Sequence, residues 1–295
     1  MEFKKRRFIL CQEIINTMDV DVLRKLVGGF HAQYLLVLVF AVFSYRAVLE
    51  TPAYFIAGIL AIWFGTAADI AANRTYDAKD DEKLEWKRKI NPVSNGEISK
   101  NTAKKVCIAL YLASIVMGLL TKNAVFFSVL VVRNFIGFFY SAPPIRAKST
   151  KFLDVLFHLF IIDSGPALMT LVLTQNYSFT LMLGLFILVL NSVFTEINQE
   201  MRDYEIDRKT GLETTVILLG LDGSLFLERI LLFMILLVIT TFSIYGNLYL
   251  LAVVSLVLMI RTSKKPKDYK DIYDSRALCI YSLLLAGFIN FGLIV

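Results

Sequence analysis

The sequence predicts an all-α, polytopic membrane protein of about nine transmembrane helices, and three observations carry that expectation. Of 295 residues, 57% are apolar and 19% charged, against about 45–50% and about 25% in a soluble domain. The mean hydropathy is +0.63. Polar residues gather in a few segments between long apolar runs instead of recurring along every element, which argues against a water-soluble enzyme. The chain reads as one transmembrane domain over 1–295, with a polar N-terminal segment at 1–28 and a polar cap loop at 73–103.

A spanning helix needs about 20 mostly apolar residues. That template picks out 29–49, 52–72, 104–121, 123–141, 152–174, 178–198, 225–245, 247–261 and 276–295. The runs are continuously apolar and do not alternate, so a β-barrel is disfavoured. The start, Met1 to Arg7, is basic but is followed by mixed polar sequence, and no removable signal peptide is expected. The three cysteines, Cys11, Cys107 and Cys279, are far apart and odd in number, which speaks for packing and against a disulfide framework.

Lysine and arginine placement sets the expected orientation. With the N-terminus inside, 27 of the 31 basic residues fall on one side, in 1–28, 73–105, 140–151, 198–214 and 261–276. The positive-inside rule then places the N-terminus and these loops in the cytoplasm, as in an integral protein of the cell membrane. The net charge of +6 therefore has a topological role and does not call for nucleic acid. So basic a face also attracts anionic lipid heads and phosphorylated substrates.

Two acidic clusters close the second and sixth expected spans. In the first, Asn73, Asp77 and Asp81 are spaced by four, so on a helix each step turns by about 40° and the three form one stripe. In the second, Glu200, Asp203 and Asp207 repeat the stripe at i, i+3, i+7. Carboxylates this close repel unless a cation holds them. Mg²⁺ suits them, since it takes one or two carboxylates and fills its other positions with water and substrate phosphate. Either cluster alone reads equally well as a solvated helix end. Two of them, each four spans apart and 126 positions apart at Asp77 and Asp203, hint at an internal duplication, although no other letters align.

Between the clusters lies Tyr140-Ser141-Ala142-Pro143-Pro144-Ile145-Arg146-Ala147-Lys148. The prolines end a helix and fix a turn that presents Arg146 and Lys148 to the same face. A hydroxyl and two cations suit an anionic oxygen cluster, and a basic turn serving topology is the alternative. His158 and Asp163 lie inside the fifth span, where ionisable groups are costly. Five helical positions turn about 500°, so these two are not expected to pair. Arg133, in the fourth span, has two possible targets, the phosphate region and Asp163. Lys83 to Lys89, rich in both signs around Trp86, is expected to form part of a cap on this polar side.

The three motifs together resemble the UbiA superfamily of intramembrane prenyltransferases. The first motif matches at Asn73, Asp77 and Asp81, followed by the basic Lys87-Arg88-Lys89 and the Pro92 to Gly96 turn; the second matches at Glu200, Asp203, Asp207, Lys209 and Gly211. The Tyr140 to Lys148 stretch is similar to the segment between them. Three letters depart from the pattern: Arg74 where an acid is usual, Glu200 in place of aspartate, and Asn91 in place of arginine.

The resemblance implies nine helices around a central cavity, closed by polar loops on the cytoplasmic side and open sideways to lipid. It implies a prenyl diphosphate donor, a lipophilic acceptor and Mg²⁺, as two ions. Asn73, Asp77, Asp81, Glu200, Asp203 and Asp207 become the expected metal ligands. Arg74, Tyr140, Arg146, Lys148, Arg202 and Lys209 become the expected diphosphate contacts, and Asp77, Asp203, Asp207 and Lys148 the catalytic set. Relatives that cyclise a prenyl diphosphate, or pass a phosphorylated sugar to a polyprenyl phosphate, keep the same fold. An ion or phosphate-linked transporter is the alternative from another class, because acids inside helices also line ion paths.

Overall fold

The computed structural model describes residues 19–28, 52–161 and 164–245. Within them the protein is helical, with no strand and only an isolated bridge between Thr150 and Glu213. The helices are α1 (Val20–Leu26), α2 (Pro52–Asp81), α3 (Glu85–Ile90), α4 (Lys100–Leu120), α5 (Ala124–Ser141), α6 (Leu153–Ile161), α7 (Ser164–Thr174), α8 (Phe179–Thr210) and α9 (Thr215–Tyr245). Five are long and apolar enough to cross a membrane, and α6 with α7 makes a sixth if the pair, bent by 46°, is one span. The expected spans at 29–49, 247–261 and 276–295, and Asp163, Cys11 and Cys279, lie outside the described residues.

The expected loop at 73–103 is partly helix. α2 runs on through both acidic turns to Asp81, α3 follows after a short turn, and Ser99 caps α4 by accepting from the Thr102 N–H. The second cluster likewise lies on α8 itself, which continues past the apolar stretch to Thr210 and ends at Gly211 in the left-handed conformation. Both rows of acids are thus carried on rigid helix, not on loop.

α2 is the central element. Its small residues Ala57, Gly58, Ala61, Gly65, Ala67, Ala68, Ala71 and Ala72 are buried, and such residues let helix backbones approach closely. α4 and α5 pack on it, with Ile59, Ile62, Phe126, Leu130 and Met169 forming one core. A second core, including Leu188, Leu231 and Ile235, joins α8 to α9. The buried Cys107 thiol rests against the Ala68 carbonyl at 3.5 Å, a packing role for this cysteine. α9 is broken at Gly220, whose φ of 68° is a left-handed value that glycine adopts without strain.

A buried polar network ties α2, α4 and α5 together. Arg133 pairs with Asp69 at 2.5 Å, and it also reaches the Thr66 hydroxyl and the Ile161 carbonyl. Tyr111 donates to the other Asp69 oxygen at 2.7 Å. Gly137 leaves room for Asp69 because a Cβ there would strike the carboxylate. Pairing of this kind is what lets an acid and an arginine lie together among apolar helices.

Candidate active site

The ends of α2, α5 and α8, with α3 and the turn after α5, enclose one cavity of about 420 Å³. Asn73, Arg74, Asp77 and Asp81 line it from α2, Glu200, Asp203 and Asp207 from α8, and Tyr140, Arg146 and Lys148 from the intervening segment. The two acidic rows therefore face a common hollow, and both extend one turn deeper than the motif, to Asp69 on α2 and Glu196 on α8.

Each row has its own set of partners. The Lys148 ammonium sits on Asp77, and Arg146 reaches Asp80 at 2.8 Å and Asp77 at 3.7 Å. Asn73 donates to Asp77 at 2.8 Å, and Asn91 donates to Asp81 at 2.7 Å. Across the cavity Lys87 of α3 holds Asp203 at 2.5 Å. The turn that aims Arg146 and Lys148 follows from its sequence: α5 ends at Ser141, Ala142 is extended ahead of Pro143 and Pro144, and Arg146 takes a left-handed φ of 43° into the short 3₁₀ turn Ala147–Ser149.

The structure does not bring all the expected site residues together. Arg202 and Lys209 are not among the lining residues: seven positions apart, they share the exposed outer face of α8, and the Arg202 Nε donates weakly to the Asn198 carbonyl at 3.4 Å. Lines drawn from sequence alone miss this because a motif does not say which face of the helix turns inward. Tyr140 lines the cavity, but its hydroxyl proton goes to Glu196 at 2.7 Å, leaving lone pairs, not a donor, for any phosphate oxygen. Glu200 gives one carboxylate oxygen to the Val216 N–H at 2.9 Å, in the first turn of α9. Asp154 binds the adjacent Thr215 N–H and hydroxyl, so two acids serve that helix N-terminus.

Other participants carried no assigned role in the sequence. Lys87 was visible only as part of a basic stretch, and Glu196 only as a letter one turn before the second motif. The signal for Glu196 was its spacing of four from Glu200, which continues the row inward. Asn91, a departure from the family pattern, ties α3 to α2 by donating to Asp81 and to the Arg74 carbonyl.

The donor set suits Mg²⁺. Asn73, Asp77, Asp81, Asp203 and Asp207 offer hard oxygens, and no thiol is among the lining residues. Among the described residues no three His, Cys, Asp or Glu come together closely enough to hold an ion by themselves.

A family model described as "UbiA prenyltransferase family" matches residues 34–288. This chain belongs to the UbiA prenyltransferase family. Solved structures agree in fold. A UbiA homolog from Archaeoglobus fulgidus bound to GPP and Mg²⁺ superposes with a TM-score of 0.66 at 20% identity, covering 92% of this chain and 99% of that one. The same homolog bound to DMAPP and Mg²⁺ gives 0.63 at 20% identity, covering 92% and 97%. A digeranylgeranylglyceryl phosphate synthase gives 0.66 at 16% identity, covering 92% and 98%. Comparison with curated protein sequences finds no match. As a UbiA-family member with several apolar helices, the protein is an integral membrane protein.

Proposed function

We propose that this UbiA-family protein transfers a prenyl group from a prenyl diphosphate to a lipophilic acceptor within the membrane, with Mg²⁺. The observation that carries the reading is the pair of acidic rows facing one cavity that Arg146, Lys148 and Lys87 also line. The homologs solved with GPP or DMAPP and Mg²⁺ support it.

Asn73, Asp77 and Asp81 on one side and Asp203 and Asp207 on the other would hold the Mg²⁺. When bound, the ions neutralise the diphosphate oxygens and make the diphosphate a better leaving group. Lys148, Arg146 and Lys87 add fixed positive charge where negative charge grows as the allylic C–O bond breaks. Ile70 and Ile161 line the deep end of the cavity, and the tail would lie toward them. An apolar wall there keeps water from the electron-poor carbon until the acceptor attacks. The basic flanks support a cytoplasmic position for this end of the helices.

The test uses purified full-length protein in lipid nanodiscs with radiolabelled geranyl diphosphate and a lipid extract from the expressing cells. The expected result is label in a lipid product that requires Mg²⁺, disappears with EDTA and is absent for Asp77→Asn. Label in a cyclised hydrocarbon without added extract would mean cyclase chemistry. Uptake into sealed vesicles with no labelled lipid would mean transport, and either would overturn the reading.

A further inference from the structure

A second set of groups in the cavity does something other than bind diphosphate. Glu196 is 3% exposed and His158 2% exposed, and both line the cavity together with Tyr140. The Tyr140 hydroxyl donates to Glu196 Oε1 at 2.7 Å. The His158 Nε2 stands 3.2 Å from Glu196 Oε2, and its Nδ1 stands 3.1 Å from the Ser192 carbonyl oxygen.

Those contacts limit where the protons can lie. A backbone carbonyl only accepts, so His158 Nδ1 is the donor to Ser192. A neutral imidazole then has a bare lone pair on Nε2, which faces a carboxylate oxygen that also carries lone pairs. Two acceptors do not hold that contact, so one additional proton lies between Nε2 and Oε2, on the histidine or on the acid. Tyr140, whose own proton points to Glu196, offers only lone pairs to the cavity. A hydrogen-bond donor is the partner it can take there.

We propose that Tyr140, Glu196 and His158 form a proton relay for the acceptor, and that the acceptor presents a hydroxyl to Tyr140. This rests on the transferase reading above. As the donor C–O bond breaks, its electron pair leaves with the diphosphate, and the acceptor oxygen gives a lone pair to the allylic carbon. The acceptor's O–H pair stays on its oxygen and its proton passes to the Tyr140 oxygen, while the Tyr140 proton passes to Glu196 Oε1. His158 keeps the carboxylate oriented and shares its proton with Oε2. Tyr140 is the residue that touches substrate; Glu196 and His158 act through it. Among the described residues, the titratable groups around Glu196 include Tyr140 on α5, Lys148 in the turn, Asp154 and His158 on α6, and Glu200 and Asp203 on its own helix.

The test has two arms on the full-length protein in nanodiscs. In the first, transfer of labelled geranyl group to the lipid extract is measured in single turnover beside binding of geranyl thiolodiphosphate with Mg²⁺. Tyr140→Phe and Glu196→Gln should each slow transfer about 100-fold or more, the usual scale for a lost proton acceptor, while analogue binding changes less than twofold. Extract whose free hydroxyls have been methylated should accept no label. Unchanged transfer in Tyr140→Phe, or undiminished labelling of methylated extract, overturns the relay and leaves the transferase reading standing. A wild-type protein that transfers no label overturns both.

The second arm needs no turnover: nitrogen-15 histidine NMR, with the His158 signals assigned by comparison with His31→Gln. The expected spectrum shows His158 protonated at Nδ1, with the Nε2 resonance moved by Glu196→Gln. An unprotonated Nδ1, or an Nε2 signal indifferent to that substitution, overturns the shared proton.

Discussion

The two acidic rows look alike in sequence and differ in electrostatics. On α2, Asp69 has Arg133, Asp77 has Lys148 and Arg146, and Asp81 has the Asn91 amide, so that row is largely answered by partners of its own. On α8, Asp203 has Lys87, while Glu196 and Glu200 are held by a tyrosine, a histidine and a backbone N–H. Asp207 lines the same cavity as Lys87 and Lys148. Equal spacing thus gives equal reach into the cavity but unequal compensation of charge. Fewer acids of the α8 row meet a lysine or arginine, so this row is the one expected to depend more on a bound cation.

The sharpest way to break this comparison is to remove one acid from each row. Asp77→Ala and Asp203→Ala should each lower turnover by more than about 10³-fold, because electrostatic stabilisation of the leaving group is the largest contribution to the rate. Both proteins should remain folded and inserted by size-exclusion profile. Retained activity in either would show that the rows do not act jointly.

Next in size is the deep end of the α2 row. Asp69→Ala leaves Arg133 buried and unpaired, which costs about 3–5 kcal/mol and should appear as a lowered Tm of the detergent-solubilised protein. Asp69→Ala with Arg133→Met should recover much of it, since an apolar replacement of the whole pair removes the stranded charge. If the double variant is as unstable as the single, the ion pair is not what holds α2 to α5.

The difference in compensation itself is read by Mg²⁺ titration. Asp207→Asn should raise the Mg²⁺ concentration for half-maximal activity about tenfold, and Asp81→Asn by less, because the Asn91 amide already answers Asp81. Equal shifts would mean that the two rows share the ions evenly. The smallest effects belong to the outer face of α8, where Arg202→Ala and Lys209→Ala should change kcat/KM by less than about twofold, in keeping with exposed charges largely screened by solvent.

Much of the site was legible in letters because its parts are local. Asn73, Asp77 and Asp81 recur at the helical period, so any helix through them makes a stripe, and Pro143 and Pro144 stop α5 wherever it packs. Arg202 and Lys209 could not be judged that way, since facing inward or outward is a property of how α8 packs against α9 and the turn after α5. Asp69 was hidden for a related reason. It lies within an apolar run whose length spoke for a span, and its partner Arg133 is 64 positions away.

Composition and periodicity, with no coordinates, determined that this chain is helical, membrane-embedded and provided with two rows of acids, because hydrophobicity and the helical repeat act over a few turns of chain. Tertiary structure alone decided which polar groups meet. Tyr140 meets Glu196, Lys87 crosses to Asp203, and His158 meets both Ser192 and Glu196. Those pairings are set by the packing of helices distant in sequence, and at a few ångströms in a buried setting small differences in placement decide which groups share a charge.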